Sequence, residues 1–168
     1  GDGACMGCGE KTAVHLVTST VEALMQPRVE ALISEVDTLV ASLDHQAREL
    51  LASEADLAKA ASSTDEEVGV KLPAAKKEKL ALLEQTKAEL EHLKWLYVQG
   101  PSGRGRVSLG ITNSTGCSSV WGSTYPYNPY PFPWANHLFQ DAPSLAIGVF
   151  EGHMRKMSNH FLSLRRAR

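Results

Sequence analysis

The chain has few cysteines. Only Cys5, Cys8 and Cys117 occur in 168 residues, and an odd number cannot pair off internally. The Cys-x-x-Cys spacing of Cys5 and Cys8 also closes too small a loop for a structural disulfide. Thiol ligation in a reducing compartment is the expectation, and with it a cytoplasmic location. No run approaches 18 consecutive apolar residues, so a membrane-spanning helix is not expected. The first residues lack the basic, apolar and small-residue order of a signal peptide. Excess charge is missing too. With 17 Lys and Arg against 19 acidic residues, the net charge of -2 gives no global reason to expect nucleic acid or a membrane surface. The run Arg165, Arg166 and Arg168 reads as a solvated helix end. An initiator methionine is also absent, and the first motif arrives within five residues of Gly1, as expected of a piece cut from a longer polypeptide. The sequon Asn113-Ser114-Thr115 is read as a coincidence in the absence of secretion.

What is present suffices for one ordinary domain, since 43% of the residues are hydrophobic. The segments Gly3-Ala4-Cys5-Met6-Gly7-Cys8-Gly9-Glu10 and Ser114-Thr115-Gly116-Cys117-Ser118-Ser119 hold all the cysteines. They are also rich in glycine and small hydroxyl residues, as backbone must be where it closes tightly. Residues 1–12 read as a loop. From about Thr12, the pattern Val14, Leu16, Val17, Val21, Leu24 predicts a helix, with Glu10 near its N-terminus where a carboxylate is favoured. Then Met25, Val29, Leu32, Val36, Leu39, Leu43 and Leu50 alternate four and three apart, broken only at Gln46. This is a heptad seam. The stretch Ser62 to Glu67, followed by Gly69 and Pro73, interrupts it and predicts a chain reversal. A second seam runs through Leu83, Thr86, Leu90, Leu93 and Tyr97. Helices of about 35 and 25 residues, spanning about 50 Å and 37 Å, should pack as an antiparallel pair that serves as a spacer or docking arm.

Gly100-Pro101-Ser102-Gly103-Arg104-Gly105-Arg106 has the look of a phosphate loop, but it follows a helix and precedes a strand, the reverse of the order that cradles phosphate. It is read as a turn. Val107–Ile111 has the branched residues and alternation of a short strand leading into the Cys117 loop. Between Cys117 and Trp134, the prolines 126, 129, 131 and 133 alternate with aromatic residues and predict an extended segment that buries itself against a neighbour. Ala135–Leu138 and Ala146–Leu164 read as helical, and the stripe Phe150, Met154, Met157, Phe161 as core.

Cys-x-x-Cys on a glycine-rich loop suits a metal, because both thiolates can turn inward while backbone amides point at the sulfurs. The spacing alone leaves iron–sulfur, zinc and redox dithiol sites open. A redox dithiol wants a preceding strand, and only four residues precede Cys5. Zinc would need His15 or another histidine, and His15 lies inside the predicted helix. His45 and His92 each stand alone on a helix and read as surface or packing residues.

Taken together, Ala4-Cys5-Met6-Gly7-Cys8-Gly9-Glu10, Thr115-Gly116-Cys117-Ser118-Ser119-Val120-Trp121-Gly122 and Pro133-Trp134-Ala135-Asn136-His137-Leu138-Phe139-Gln140-Asp141 resemble the thiamine-diphosphate domain of pyruvate:ferredoxin oxidoreductases, the iron–sulfur 2-oxoacid oxidoreductases. The resemblance covers about 40 residues near the two ends, with the three motifs in the family's order. It implies an α/β fragment of a thiamine-diphosphate-binding domain with an inserted long antiparallel α-helical hairpin, mostly α by residue count. Residues 1–21 would be the cluster and thiamine-binding loop with its first helix, 22–100 a coiled-coil insertion, and 101–168 the strand, third-cysteine loop, aromatic-proline segment and last helix.

The resemblance further implies that Cys5, Cys8 and Cys117 ligate a [4Fe–4S] cluster next to thiamine diphosphate, and that Glu10 and the Cys117 loop touch the thiamine cofactor. The family decarboxylates a 2-oxoacid, pyruvate in the family's name, passes single electrons to the cluster and transfers the acyl group to coenzyme A. Its partners would be the rest of the oxidoreductase polypeptide or its subunits, ferredoxin or flavodoxin, and a second copy in a homodimer, with no nucleic acid and no membrane. Three cysteines fall one short of the usual four thiolates, and in the family the fourth lies downstream. The Mg2+-diphosphate signature is also expected outside this chain: Gly1-Asp2-Gly3 imitates its start, but the first asparagine is Asn113. Alone, such a fragment should be inactive. The alternative is a non-enzymatic interaction module, a coiled-coil arm on a small zinc-binding base.

Overall fold

The computed structural model describes residues 7–61, 73–114, 116–121, 133–137 and 142–168. Their elements are α1 (Gly9–Ala61), α2 (Ala74–Val98), β1 (Ile111–Ser114), α3 (Cys117–Trp121), β2 (Trp134–His137) and α4 (Ala142–Ala167). The expected helical character is met, and the sheet among the described residues is one parallel pair. No described helix is long and apolar enough to cross a membrane. The chain divides into two compact units, one from Gly1–Leu32 with Leu96–Ser158 and the other from Ile33–Trp95 with Asn159–Arg168.

The second unit is built on the two seams. Val36, Leu43 and Ala47 of α1 are buried, as are Thr86, Leu90 and Leu93 of α2. Gln46, which broke the first seam, is exposed, and Ala47 takes the inward position beside it. Burying each large aliphatic side chain contributes about 1.5–3 kcal/mol. Direction follows from two ion pairs. Lys87 Nζ lies 2.6 Å from Asp44 and Lys94 Nζ 2.6 Å from Asp37, so seven residues forward on α2 match seven backward on α1. The helices are antiparallel, as the seams predict.

The last turns of α4 close this unit. Ser163 and Ala167, four apart and hence on one face, are buried. The Ser163 hydroxyl donates a short hydrogen bond to Glu89 Oε2 of α2, Arg166 Nη2 lies 3.1 Å from the same oxygen, and Arg168 Nη2 reaches Glu35 of α1 at 2.6 Å. Arg165, Arg166 and Arg168 are exposed, as expected of a solvated helix end, and Arg166 and Arg168 additionally pair with carboxylates. The Ser163 hydrogen bond first, then those from Gln85 and Arg166, hold the Glu89 carboxyl below its ordinary 4.5. The Lys87 hydrogen bond likewise lowers Asp44 and raises Lys87.

In the first unit, α1 starts at Gly9, three residues earlier than the apolar pattern predicts, and carries Glu10 in its first turn. It runs unbroken through Pro27 and continues into the seam. Pro27 lacks the amide that would bond to the Ala23 carbonyl, and both residues are exposed, so water can satisfy that oxygen. The glycine-rich segment after α2 is the expected turn, with positive φ at Gly100, Gly103 and Gly105. Arg106 then packs over the Tyr97 ring, 5.1 Å from its centroid, and donates to Tyr97 Oη at 2.8 Å and Met157 Sδ at 3.1 Å.

Three expectations are corrected here. The strand is Ile111–Ser114, so it begins where the expected one, Val107–Ile111, ends. Trp134–His137 is a strand, not a helix start, because it pairs in parallel register with Ile111–Ser114, and Ile111 N–H donates to Pro133 O at 2.9 Å. The α4 stripe is not core: Phe150, Met154 and Phe161 are exposed and Met157 half-buried. Helical periodicity identifies residues that share a face, but not whether another element covers it.

Two outcomes follow for the second unit. Leu90→Ala lowers unfolding stability by about 3 kcal/mol in urea denaturation, through lost burial and the cavity left behind. Glu89 is depressed when folded, so it stabilises above its unfolded value, and that contribution is lost as pH falls through its folded value. Thermal melts of Glu89→Gln should therefore depend less on pH than wild type as pH falls below the ordinary 4.5 and through the lower folded value.

Candidate functional site

Cys8 sits immediately before α1 and is half-buried. Its carbonyl accepts hydrogen bonds from both the backbone amide and the Oγ1 of Thr12, each at 3.3 Å, so the first turn of α1 fixes the residue's main chain. Glu10 follows within that turn and is exposed. This is the end of the helix where the macrodipole favours a negative charge. Cys5 lies outside the described residues.

Cys117 opens α3 and is exposed. Two contacts hold its surroundings. Trp121, at the far end of α3, is buried against Trp134 of β2 in an edge-to-face pair, with centroids 5.8 Å apart and planes at 78°. Such pairs contribute about 0.5–1.5 kcal/mol beyond the area they bury. Trp134 in turn is the β2 partner of Ile111 at the start of β1. These two tryptophans from the aromatic-proline stretch pack on each other. Tyr125, Tyr127, Tyr130 and Phe132 lie outside the described residues.

The second contact is polar. Asn113 of β1 accepts a 2.7 Å hydrogen bond from the Ser118 hydroxyl and donates to Ser119 Oγ at 3.2 Å. Ser119 Oγ also accepts from the Gly116 amide at 3.1 Å and donates to the Ser114 carbonyl at 3.3 Å. Neither periodicity nor spacing singles out this network. The available signal is composition, an asparagine followed by a Gly-Cys-Ser-Ser turn.

Cys8 and Cys117 are both free thiols in the first unit and are not bonded to each other. Among the described residues no three His, Cys, Asp or Glu side chains gather into a metal-binding group. Two reachable thiols nevertheless have the donor chemistry that an iron–sulfur cluster takes, with Cys5 outside the described set. His15 lies exposed on α1, His45 faces Glu49 at 3.6 Å, and His92 stacks on Trp95 with centroids 5.5 Å apart. His153 approaches Arg106, with 2.9 Å from Nη2 to its Nε2. Desolvation, then the charges of Arg106 and Lys156, push the His153 pKa down, so the neutral imidazole that can accept from Arg106 is favoured.

Accessibility separates the two described thiols. Iodoacetamide should modify exposed Cys117 several-fold faster than half-buried Cys8 in the native chain, with the difference vanishing in denaturant, as read by peptide mass spectrometry.

Comparison with known proteins gives short local similarities. The chain is 38% identical over 53 residues to a pyruvate dehydrogenase [NADP(+)] of Cryptosporidium parvum, covering 27% of this chain and 3% of that protein. It is 41% identical over 49 residues to a pyruvate-flavodoxin oxidoreductase of Klebsiella pneumoniae and, equally, to one of Enterobacter agglomerans, covering 25% of this chain and 4% of each. Over these stretches the chain is related to pyruvate oxidoreductases, and the matches span only 3–4% of their lengths. No protein-family model and no solved structure matches it.

Proposed function

We propose that this chain is a piece of the thiamine-diphosphate and cluster-binding region of a 2-oxoacid:ferredoxin oxidoreductase acting on pyruvate or a close analogue. The observation that carries the reading is the local identity of about two residues in five to pyruvate oxidoreductases, in a chain whose cysteine motifs follow that family's order. Cys5, Cys8 and Cys117 would hold three corners of a [4Fe–4S] cluster, and Glu10 and the Cys117 turn would lie against thiamine diphosphate. When bound, the thiazolium supplies an electron sink for decarboxylation and the cluster a one-electron acceptor beside it.

The chain's own contribution is to hold thiolates on short, rigid turns. The Thr12 hydrogen bonds support this at Cys8, and the Trp121–Trp134 pair supports it at Cys117. The Mg2+ site, the fourth thiolate and the coenzyme A site belong to the remainder of the enzyme, a cytoplasmic homodimer that reduces ferredoxin or flavodoxin. The exposed apolar side chains Ile147, Phe150 and Phe161 of α4 and Leu16, Val17 and Leu24 of α1 suit a piece whose covering elements come from that remainder. Residues 22–100 are an inserted arm, its two helices joined by their seams and ion pairs and held as well by the last turns of α4.

Anaerobic reconstitution with iron and sulfide tests this. A brown protein with broad visible absorption and bound iron and sulfide is expected. Cys117→Ala and Cys5→Ala should each abolish cluster retention. A colourless chain holding one zinc per molecule would instead identify the interaction module on a zinc base.

A further inference from the structure

We infer that Asn113 is a positioning residue for Cys117: its side-chain amide fixes the turn that leaves the thiol as the group this loop offers a ligand. The inference rests on the cluster-binding reading and deepens it. Asn113 stands on β1, which pairs in parallel with β2, so its amide starts from a fixed frame. It then reaches two successive residues of α3, accepting from Ser118 Oγ at 2.7 Å and donating to Ser119 Oγ at 3.2 Å. One planar group thus fixes both residues that follow Cys117.

Ser119 completes the device. A hydroxyl has one proton and two lone pairs. Here the proton goes to the Ser114 carbonyl, and the lone pairs take the Asn113 amide and the Gly116 amide N–H. The backbone amide of Ser119 donates to the Gly116 carbonyl at 3.0 Å, so Ser119, two residues after Cys117, is tied to the segment that precedes it. The consequence is chemical. The Ser118 proton and the Ser119 hydroxyl are engaged within the turn, while Cys117 Sγ is exposed and unbonded, so the thiol is the group that the turn presents.

Aspartate at position 113 would keep the acceptor for Ser118 and lose the donor to Ser119. Alanine would lose both.

The test uses the whole chain as wild type, Asn113→Ala, Asn113→Asp, Ser119→Ala and the Asn113→Ala/Ser119→Ala double variant. Hydrogen exchange of the Gly116 amide reports the turn directly, and iron and sulfide per chain after reconstitution report ligation. Asn113→Ala and Ser119→Ala should each speed Gly116 exchange by about tenfold or more while α1 and α2 amides stay unchanged. The double variant should be no faster than the singles, because the two side chains act as one unit. Iron per chain should fall at least twofold in both singles, with Asn113→Asp intermediate. Unchanged Gly116 exchange in Asn113→Ala, or effects that multiply in the double variant, overturn the inference. So does faster exchange with full iron retention. Should Asn113→Ala fail to fold, Asn113→Asp and Ser119→Ala decide by the same criteria. A wild-type chain that takes up no iron overturns the oxidoreductase reading instead, and the exchange measurements still decide the role of Asn113.

Discussion

Where the chain leaves α2, its backbone turns so tightly that only glycine fits. A Cβ on Gly105 would lie 2.2 Å from the Tyr97 carbonyl oxygen, and the residue's φ of +75° is one that other residues rarely adopt. Gly105 N–H donates to the Gln99 carbonyl at 2.7 Å and Arg106 N–H to the Tyr97 carbonyl at 3.4 Å, which caps the end of α2 with its own following segment. That closure sets what comes next. It lays Arg106 on the Tyr97 ring and brings it within reach of His153 and Met157 of α4. Five residues later β1 begins, and with it the frame that carries Asn113 and the Cys117 turn.

The parts of this fold that repeat were legible in the sequence. Apolar positions four and three apart gave both long helices, and the exposed Gln46 with buried Ala47 shows the seam stepping sideways where its pattern fails. The glycine turn was legible because glycine there answers a steric requirement. The strands were less so. Val107–Ile111 has branched residues, yet pairing falls on Ile111–Ser114, because a strand is fixed by its partner, and that partner, Trp134–His137, lies twenty residues away and carries no strand-like alternation. The Met and Phe stripe of α4 failed for a related reason, since a helix face does not carry the identity of what covers it.

At the candidate site, the cysteines and their order were readable, and so was the placement of Glu10 in a first helical turn. The groups that hold Cys117 were not. Asn113, Ser118 and Ser119 act through individual hydrogen bonds, which follow no period, and the edge-to-face pairing of Trp121 with Trp134 depends on the strand register that the sequence misplaced. Chemistry-bearing residues announce themselves by type. Their supports announce themselves only by geometry.

The two ion pairs of the helical hairpin have a further implication. Lys87–Asp44 and Lys94–Asp37 are spaced one heptad apart on both helices, so sliding α2 along α1 by seven residues, about 10 Å, would still match one lysine with one aspartate. By charge alone the pair is a ladder that can slip by a rung. The end of α4 removes that ambiguity. Ser163 and Arg166 read Glu89 on α2 while Arg168 reads Glu35 on α1, and no slipped alignment leaves both glutamates within reach of one rigid helix end. The last two turns of the chain thus act as a vernier, selecting one register from those that these two ion pairs by themselves leave open.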